Sequence, residues 1–366
     1  MNKNFGVYIH IPFCKSKCPY CDFYSSRGSE ADFDDYTNLL VDKIAMWGNK
    51  LKRNVSGIYI GGGTPSLLGE KRLCKIIEAT QNCFLPNDDC EITVEVNPES
   101  GKIMDFAMLK NYGINRISVG LQSSNKKELA TLGRLHSADD ARKTCENAIK
   151  GGIDNISLDL MMGIPHQSID TLKKSIEFCR DCNVKHISSY ILKIEEGTWF
   201  YNHQNKLVLP DDDLQAGMYL FAVDYLSKLG YKQYEISNFA VPGFESRHNI
   251  NYWKCGEYIG IGPSAYSFVN CVRFHYSRNL SDFQNDDIIS DGVGGDEEEF
   301  IMLSLRLTSG LNFSEYKKRY NRDFPSDLLK KINLYVKNGF MEISDDSIRF
   351  TPKGYLVSNT ILSELI

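Results

Sequence analysis

Residues 6–25 read GVYIHIPFCKSKCPYCDFYS, a short strand that runs into three closely spaced cysteines. Gly6–Ile11 alternates apolar and polar side chains, the period of a strand with two different faces. Cys14-Lys-Ser-Lys-Cys18-Pro-Tyr-Cys21 then gives a C-x3-C-x2-C spacing. A strand that ends in a reactive loop is the first unit of a series, and the rest of the chain is read outward from it.

Strand and helix patterns alternate downstream. Strands are expected at Gly57–Ile60, Glu91–Val96, Asn115–Gly120, Asn155–Leu160 and His186–Leu192. Helices are expected at Asp32–Trp47, Leu67–Cys83, Ile103–Tyr112, Lys126–Leu132, Ala138–Lys150, Ile169–Cys182 and Asp211–Leu229. Repeated strand–helix units imply a parallel sheet with right-handed crossovers. Six units are too few to close an eight-stranded barrel and suit an open three-quarter barrel. The fold class is therefore α/β, an open (β/α)6 partial barrel over residues 1–230. Residues 231–294 are aromatic, Gly-rich and irregular, and 281–294 look like a linker. Residues 295–366 read as helices followed by a hairpin at Phe340–Phe350 turning at Asp345-Asp346, a small winged-helix-like α+β domain.

Each early strand ends in a polar or glycine motif. Strand 1 enters the cysteine loop. Strand 2 ends in Gly61-Gly62-Gly63-Thr64-Pro65, strand 3 at Glu95-Val96-Asn97-Pro98, strand 4 at Gly120-Leu121-Gln122, and strand 5 carries Asp159 before Gly163-Ile164-Pro165. In parallel α/β folds the active site lies at the carboxyl ends of the strands. One such motif is weak; five on one rim are not surface decoration.

Thiolates hold iron–sulfur clusters, and a cubane takes four ligands. Cys14, Cys18 and Cys21 supply three and leave one iron open to a small chelating ligand. The amine and carboxylate of S-adenosylmethionine (SAM) suit that position. A [4Fe-4S] cluster can then pass one electron to the sulfonium, breaking a carbon–sulfur bond; the cofactor carries the hard chemistry and the protein orients it. The competing reading is zinc, which wants four ligands with a second pair at regular spacing. His10 is an available fourth, but it lies within the strand. Gly61–Gly63 permits close backbone approach and can offer N–H groups to a carboxylate. Glu95, Gln122 and Asp159 suit hydroxyls or an ammonium, and Arg134 suits a carboxylate. An Asp inside Ile156-Ser-Leu-Asp-Leu-Met is buried and needs a partner. Tyr8, six residues before Cys14, would pack at the cluster or against SAM.

Ile9-His-Ile-Pro-Phe-Cys14, Cys18-Pro-Tyr-Cys21-Asp-Phe-Tyr-Ser, Gly61-Gly-Gly-Thr-Pro-Ser and Leu158-Asp-Leu-Met-Met-Gly-Ile-Pro165 closely resemble the HemN/HemW family of radical SAM proteins. That family contains the oxygen-independent coproporphyrinogen III oxidase and a heme chaperone, and the resemblance covers nearly the whole chain. It implies SAM contacts at Tyr8, Gly62, Gly63, Thr64, Glu95, Gln122, Arg134 and Asp159. The oxidase branch has a further cysteine two positions after the third, where this chain has Phe23, and a longer lead than the thirteen residues before Cys14. Both departures favour the chaperone over porphyrinogen decarboxylation. His248-Asn249-Ile250-Asn251-Tyr252-Trp253 matches the H-N-x-x-Y-W motif associated with heme in that branch. The resemblance thus implies heme near His248, Asn249, Tyr252 and Trp253, with His248 an axial ligand and the aromatics covering a porphyrin face. Read without it, the same six residues are a packed loop.

Composition narrows the partners. The chain has 366 residues, 42% apolar and 24% charged, with a formal net charge of −5. No basic surplus points to nucleic acid. No apolar run approaches the ~20 residues needed to span a bilayer, and Met1–Phe5 lacks a signal-peptide core, so the cytoplasm is expected. Eleven cysteines, an odd count, argue against a disulfide framework. The expected partners are heme and a heme-acceptor protein, a respiratory hemoprotein among the candidates, with peripheral membrane contact and a monomer or homodimer left open. Cys179-Arg-Asp-Cys182 is read as structural. Cys74, Cys83, Cys90, Cys145, Cys255 and Cys271 are read as buried small apolar residues. The acidic runs Asp211–Asp213 and Glu297–Glu299 are read as helix starts.

Overall fold

The structure is a computed structural model that describes residues 5–366; most of the polar N-terminal stretch, residues 1–4, lies outside the described residues. β1 (Gly6–Ile11), β2 (Val55–Gly62), β3 (Pro86–Val96), β4 (Arg116–Gln122), β5 (Ile156–Met162) and β6 (His186–Ile191) lie side by side in chain order. All five of their pairings are parallel. The connecting helices include Glu30–Leu51, Glu70–Phe84, Ala138–Lys150 and Ile169–Asp181, and Asp212–Lys228 follows β6. Their starts are written in the sequence: Ser29, Ser137 and Ser168 each form a capping box, and Asp211 caps the fifth.

A parallel sheet covered on both faces normally reads as continuous apolar runs. These strands alternate instead. Val7, Ile9 and Ile11, Ile58 and Ile60, Ile117, Val119 and Leu121, and Leu158 and Leu160 are fully buried. They share a core with helix residues such as Leu40, Ile44, Leu73, Ile76, Leu172 and Ile176. Each such side chain contributes about 1.5–3 kcal/mol on burial. The opposite phase is polar. Tyr8, Tyr59, Thr93 and Arg116 form one row across β1–β4, and Glu95, Ser118, Ser157 and His186 the next across β3–β6. That inner face encloses cavities rather than a packed core.

The sheet extends past both ends of this series. β9 (Tyr258–Ile261) runs parallel to β1 on its outer side, followed by antiparallel β10 (Tyr266–Val269), β11 (Val272–Tyr276) and β12 (Ile288–Val293). At the other end β8 (Asn238–Ala240) pairs antiparallel with β6, and β7 (Lys232–Gln233) lies outside it. The segment 231–294 is therefore part of the sheet, not irregular. The expected linker at 281–294 is instead the end of a helix, Leu280–Gln284, and the edge strand β12. All six β12 residues are exposed, so backbone pairing and the His275–Asp291 contact at 2.8 Å hold the strand, and its sequence carries no apolar period.

The C-terminal part runs helix Glu297–Ser304, β13 (Leu311–Asn312), helices Phe313–Tyr320 and Ser326–Lys337, then β14 (Met341–Ile343) and β15 (Ser347–Phe350). The three strands form a small antiparallel sheet in the order β13–β15–β14, the order of a winged helix. Asp296 caps its first helix and Glu297–Glu299 fill the first turn, as the acidic run implied. Backbone hydrogen bonds from Ile236 to Arg306 and from Thr308 to Tyr234 tie it to the larger sheet.

Candidate cluster and nucleotide site

At the carboxyl ends of β1–β5 lies a cavity of about 330 Å³, lined by Cys14, Cys18, Cys21, Gly62, Gly63, Thr64, Glu95, Gln122, Arg134 and Asp159. The three thiols are half-buried and free. Among the described residues, no three His, Cys, Asp or Glu side chains converge on a single-ion site. Three thiols lining one cavity supply three of the four ligands that a cubane takes and leave one iron open. The loop is pinned at both ends. Cys14 N–H donates to Ser26 O at 2.9 Å and Cys21 N–H to Cys18 O at 3.1 Å. Asp22 pairs with Arg278 at 2.9 Å.

The glycines at the end of β2 and just past it are required by contact. Gly63 N–H donates to Ile11 O at 2.8 Å. A Cβ on Gly63 would stand 2.6 Å from the Phe13 carbonyl oxygen and 3.1 Å from Cys14 Sγ. Gly62 has φ +115°, and a Cβ there would meet the His10 ring at 2.6 Å. Its N–H donates to Glu95 Oε2 at 3.0 Å, while the Tyr59 hydroxyl donates to Oε1 at 2.8 Å. Thr64 Oγ1 lies 3.5 Å from Cys14 Sγ.

The polar ring is built by neighbours that the sequence did not single out. Tyr190 donates to Gln122 Oε1 at 2.8 Å and Ser118 to Asp159 Oδ1 at 3.1 Å. Arg134 donates to Gly120 O at 3.0 Å and reaches Cys18 Sγ at 3.6 Å. Tyr59, Ser118 and Tyr190 all occupy the inward phase of their strands, the signal that could have found them. Burial pushes the Glu95 carboxyl up to about 7, the Asp159 charge adding to it against hydrogen bonds from Tyr59 and Gly62. Burial likewise raises Asp159 to about 6, with the Ser118 hydroxyl and the Arg116 charge pulling down. Two carboxyls poised near neutrality beside one cavity can each hold or release a proton when an ammonium or hydroxyl arrives.

Seven of the eight expected SAM residues line this cavity, and Tyr8 does not. Its hydroxyl sits 3.0 Å from His10 Nδ1 and its ring lies against Tyr59. His10 is no ligand either, because Nε2 is 3.1 Å from Tyr24 O. The H-N-x-x-Y-W residues form helix Arg247–Trp253 at the opposite, amino-terminal end of the strands. Its Arg247 and His248 amides donate to Glu91 Oε1, and Asn251 Nδ2 donates to Glu257 O. His248 is 4% exposed. Its ring stacks on Tyr59 at 4.7 Å and meets Tyr252 edge-on at 4.5 Å. Among the described residues, neither ring nitrogen has a hydrogen-bond partner. Cys179 and Cys182 are buried, as are Cys74, Cys90, Cys145 and Cys255; Cys83 is half-buried, and Cys271, on the β10–β11 turn, is exposed. A turn this short has no interior, so the expectation of burial fails there.

Residues 8–179 match the Radical SAM superfamily, and residues 297–357 match the HemN C-terminal domain. The chain is 33% identical to the heme chaperone HemW of Bacillus subtilis (strain 168) over 99% of both chains. The chain belongs to the HemW family. The Escherichia coli (strain K12) HemW is 39% identical over 72% of this chain and 70% of its own. Coproporphyrinogen III oxidase (HemN) from Escherichia coli, described as a radical SAM enzyme, is similar in structure, with a TM-score of 0.83 and 21% identity over 99% of this chain and 90% of that one. The HemW-family chain therefore shares a fold with that oxidase while its sequence is nearer to the chaperones. At Phe23, where the oxidase branch is expected to carry a cysteine, the HemW-family chain presents an aromatic side chain that is 66% exposed at the cavity wall.

Proposed function

We propose that this chain binds heme and passes it to an acceptor hemoprotein, holding a [4Fe-4S] cluster on Cys14, Cys18 and Cys21 with SAM beside it. The observation that carries the reading is the likeness to a heme chaperone over 99% of both chains; Phe23 in the cysteine loop supports it over the oxidase. The cluster, when bound, supplies one electron toward the sulfonium. This chain's own residues bind and orient. Gly62, Gly63 and Thr64 leave room for a chelating amino acid against the cysteine loop, and Arg134 suits its carboxylate. Glu95 and Asp159 suit ammonium or ribose hydroxyls, and Gln122 stays fixed by Tyr190. Thiols, a small-residue turn and a polar ring around one cavity fit that pair of groups.

The heme contacts in this reading are His248, Asn249, Tyr252 and Trp253. They require helix Arg247–Trp253 to lift off the floor of the sheet, because the His248 ring is enclosed by Tyr59 and Tyr252. Two observations favour the assignment. Burial, with the Arg116 charge, pushes the imidazole down to about 3, so it is neutral at physiological pH, the form that ligates iron. Both its nitrogens lack partners among the described residues, a costly state for a side chain with packing as its sole role. We place the protein in the cytoplasm; no helix among the described residues is long and apolar enough to cross a membrane. The parts at 1–230, 231–294 and 295–366 are proposed as functional units for cluster and SAM, heme, and domain support.

The test is a hemin titration with and without cluster. A Soret band that persists through gel filtration and falls in His248→Ala supports the reading. Anaerobic conversion of coproporphyrinogen III with SAM and reductant would replace it with the oxidase.

A further inference from the structure

Gln122, the last residue of β4, is 6% exposed and has φ +68°. The Ser123 N–H donates back to the Leu121 carbonyl at 2.9 Å, a bond that closes over Gln122 alone. A positive φ beneath a bond between residues two apart is the left-handed γ-turn, a rare and strained form for a residue with a Cβ. The β4–β5 ladder shifts register at the same place, between Val119 and Gln122. Such a conformation persists where its surroundings over-determine it. Leu121 O also accepts from His136 Nε2 at 3.0 Å. The fully buried Ser123 hydroxyl donates to Glu128 Oε2 at 2.6 Å and accepts from the Asn125 N–H at 2.9 Å. Gln167 Nε2 donates to the same Glu128 oxygen at 3.3 Å and to Met161 O at 3.0 Å. Glu128, on helix Lys126–Thr131, is 4% exposed. It thereby joins the loop after β4 to the loop after β5, the two strands that bring Gln122 and Asp159 to the cluster cavity. Its other oxygen, Oε1, has no hydrogen-bond partner among the described residues. A buried carboxyl with one oxygen unmet is costly, and an apolar side chain would fill the same space without that cost.

We propose that Glu128 is a positioning residue of the nucleotide site, holding Gln122 in its strained turn through the Ser123 hydroxyl. The proposal rests on the reading of the cavity as a SAM site. The turn decides where the Gln122 amide stands. A Cβ on Gly120 would lie 3.1 Å from Gln122 Nε2 and 3.2 Å from Arg134 Nη2, so the amide and the guanidinium share the space over Gly120. Tyr190 occupies the amide oxygen, which leaves the amide N–H groups for an acceptor on the nucleotide, a ribose hydroxyl or an adenine nitrogen. With Glu128 truncated, the turn is free to relax to an ordinary backbone conformation and carry the amide away. Glu128 itself does not line the cavity, so its effect reaches the ligand through the turn.

The test measures SAM affinity by equilibrium dialysis on the cluster-reconstituted full chain, with iron and sulfide assayed for each variant. Glu128→Ala is expected to weaken SAM about five- to tenfold, the size of one hydrogen bond lost with its geometry, while iron and sulfide per chain stay as in the parent. Glu128→Gln keeps an oxygen for Ser123 and is expected to stay within about twofold of the parent. Gln122→Ala removes the amide itself, and adding Glu128→Ala to it is expected to cost nothing further, since the two act as one unit. Ser123→Ala cuts the same link with little change in volume and is expected to match Glu128→Ala. It decides the matter should Glu128→Ala fail to fold. Parent-like affinity in folded Glu128→Ala or in Ser123→Ala, a loss in Glu128→Gln as large as in Glu128→Ala, or additive losses in the double variant would each overturn the proposal and leave the SAM site standing. Absence of saturable SAM binding by the cluster-loaded parent would overturn the site and the proposal together.

Discussion

The two ends of the same six strands have been put to opposite uses. At the carboxyl rim, three free thiols, two glycines without room for a Cβ and four polar side chains surround open space. At the amino-terminal floor, His248, Tyr59, Tyr8 and Tyr252 press ring against ring. The rim holds groups apart so that something else can enter; the floor holds groups together so that nothing enters unless a helix moves. Conformational cost should therefore fall on different steps at the two ends. Ligand uptake at the rim needs no rearrangement of the sheet, whereas iron ligation by His248 needs a packed helix to detach.

The widest separation is expected from Cys18→Ala and Gly63→Val. Either should abolish the visible absorbance and the iron and sulfide content of anaerobically reconstituted protein. The first removes a ligand; the second drives side-chain carbon into the Phe13 carbonyl and Cys14 Sγ. Cys18→Ala should leave the unfolding free energy of the cluster-free chain within about 1 kcal/mol of the parent, since the thiol is half-buried and packs little. Full iron and sulfide in Cys18→Ala would remove the ligand assignment. The floor should respond in reverse. His248→Ala opens a hole among three tyrosines and should cost about 2–4 kcal/mol by denaturant titration, with cluster content unchanged. A destabilisation below about 1 kcal/mol would mean that the floor is not packed as described.

Much of this was legible because the strand period carries two messages at once. The apolar phase of β1–β6 gave the elements, and the polar phase gave Glu95, Asp159 and Gln122. The pattern failed where a residue's surroundings, not its type, decide its role. Tyr8 shares the inward phase with Glu95, yet it lies in a lower row and packs on Tyr59. Nothing in Ser281–Gly294 could reveal β12, whose side chains all face solvent. The end of the sheet at which the H-N-x-x-Y-W helix docks depends on the Glu91 carboxylate that caps its amides, 157 residues earlier in the chain than His248. Asn115-Arg-Ile-Ser gives Arg116 no motif, although its place two residues before Ser118 puts it on the inner face.

Acidity gives a finer contrast in the protein free of cluster and nucleotide. His248 titrates at about 3 when folded and near 6.5 when unfolded. Between those values the unfolded chain binds the extra proton, so this contribution is complete above pH 6.5 and is lost as pH falls toward 3. Glu95 titrates at about 7 when folded and near 4.3 when unfolded. The native state keeps that proton longer, so its contribution is complete below pH 4.3 and is lost as pH rises through 7. Each amounts to roughly 1.4 kcal/mol per pH unit within its window. His248→Phe should flatten the acid limb of stability against pH, and Glu95→Gln the limb approaching neutrality. Profiles parallel to the parent in both variants would break the opposition between rim and floor.

The smallest effect is expected from Phe23→Cys, which brings the cysteine loop to the spacing of the oxidase branch. Phe23 is 66% exposed, so its removal takes little apolar area out of contact and should change stability by no more than about 0.5 kcal/mol. The three thiols, Gly63 and Arg134 stay where they are, and cluster content should not change. Phe23 also lines the cluster cavity, so any effect must come from what enters the mouth. If the aromatic side chain helps hold a flat apolar ligand there, hemin retention falls while the Soret position, set by the axial ligand, stays fixed. If retention is unchanged and the Soret band shifts only in His248→Ala, the heme contact belongs to the floor alone. A Soret shift in Phe23→Cys would instead mean that the new thiol reaches the iron, putting heme at the rim.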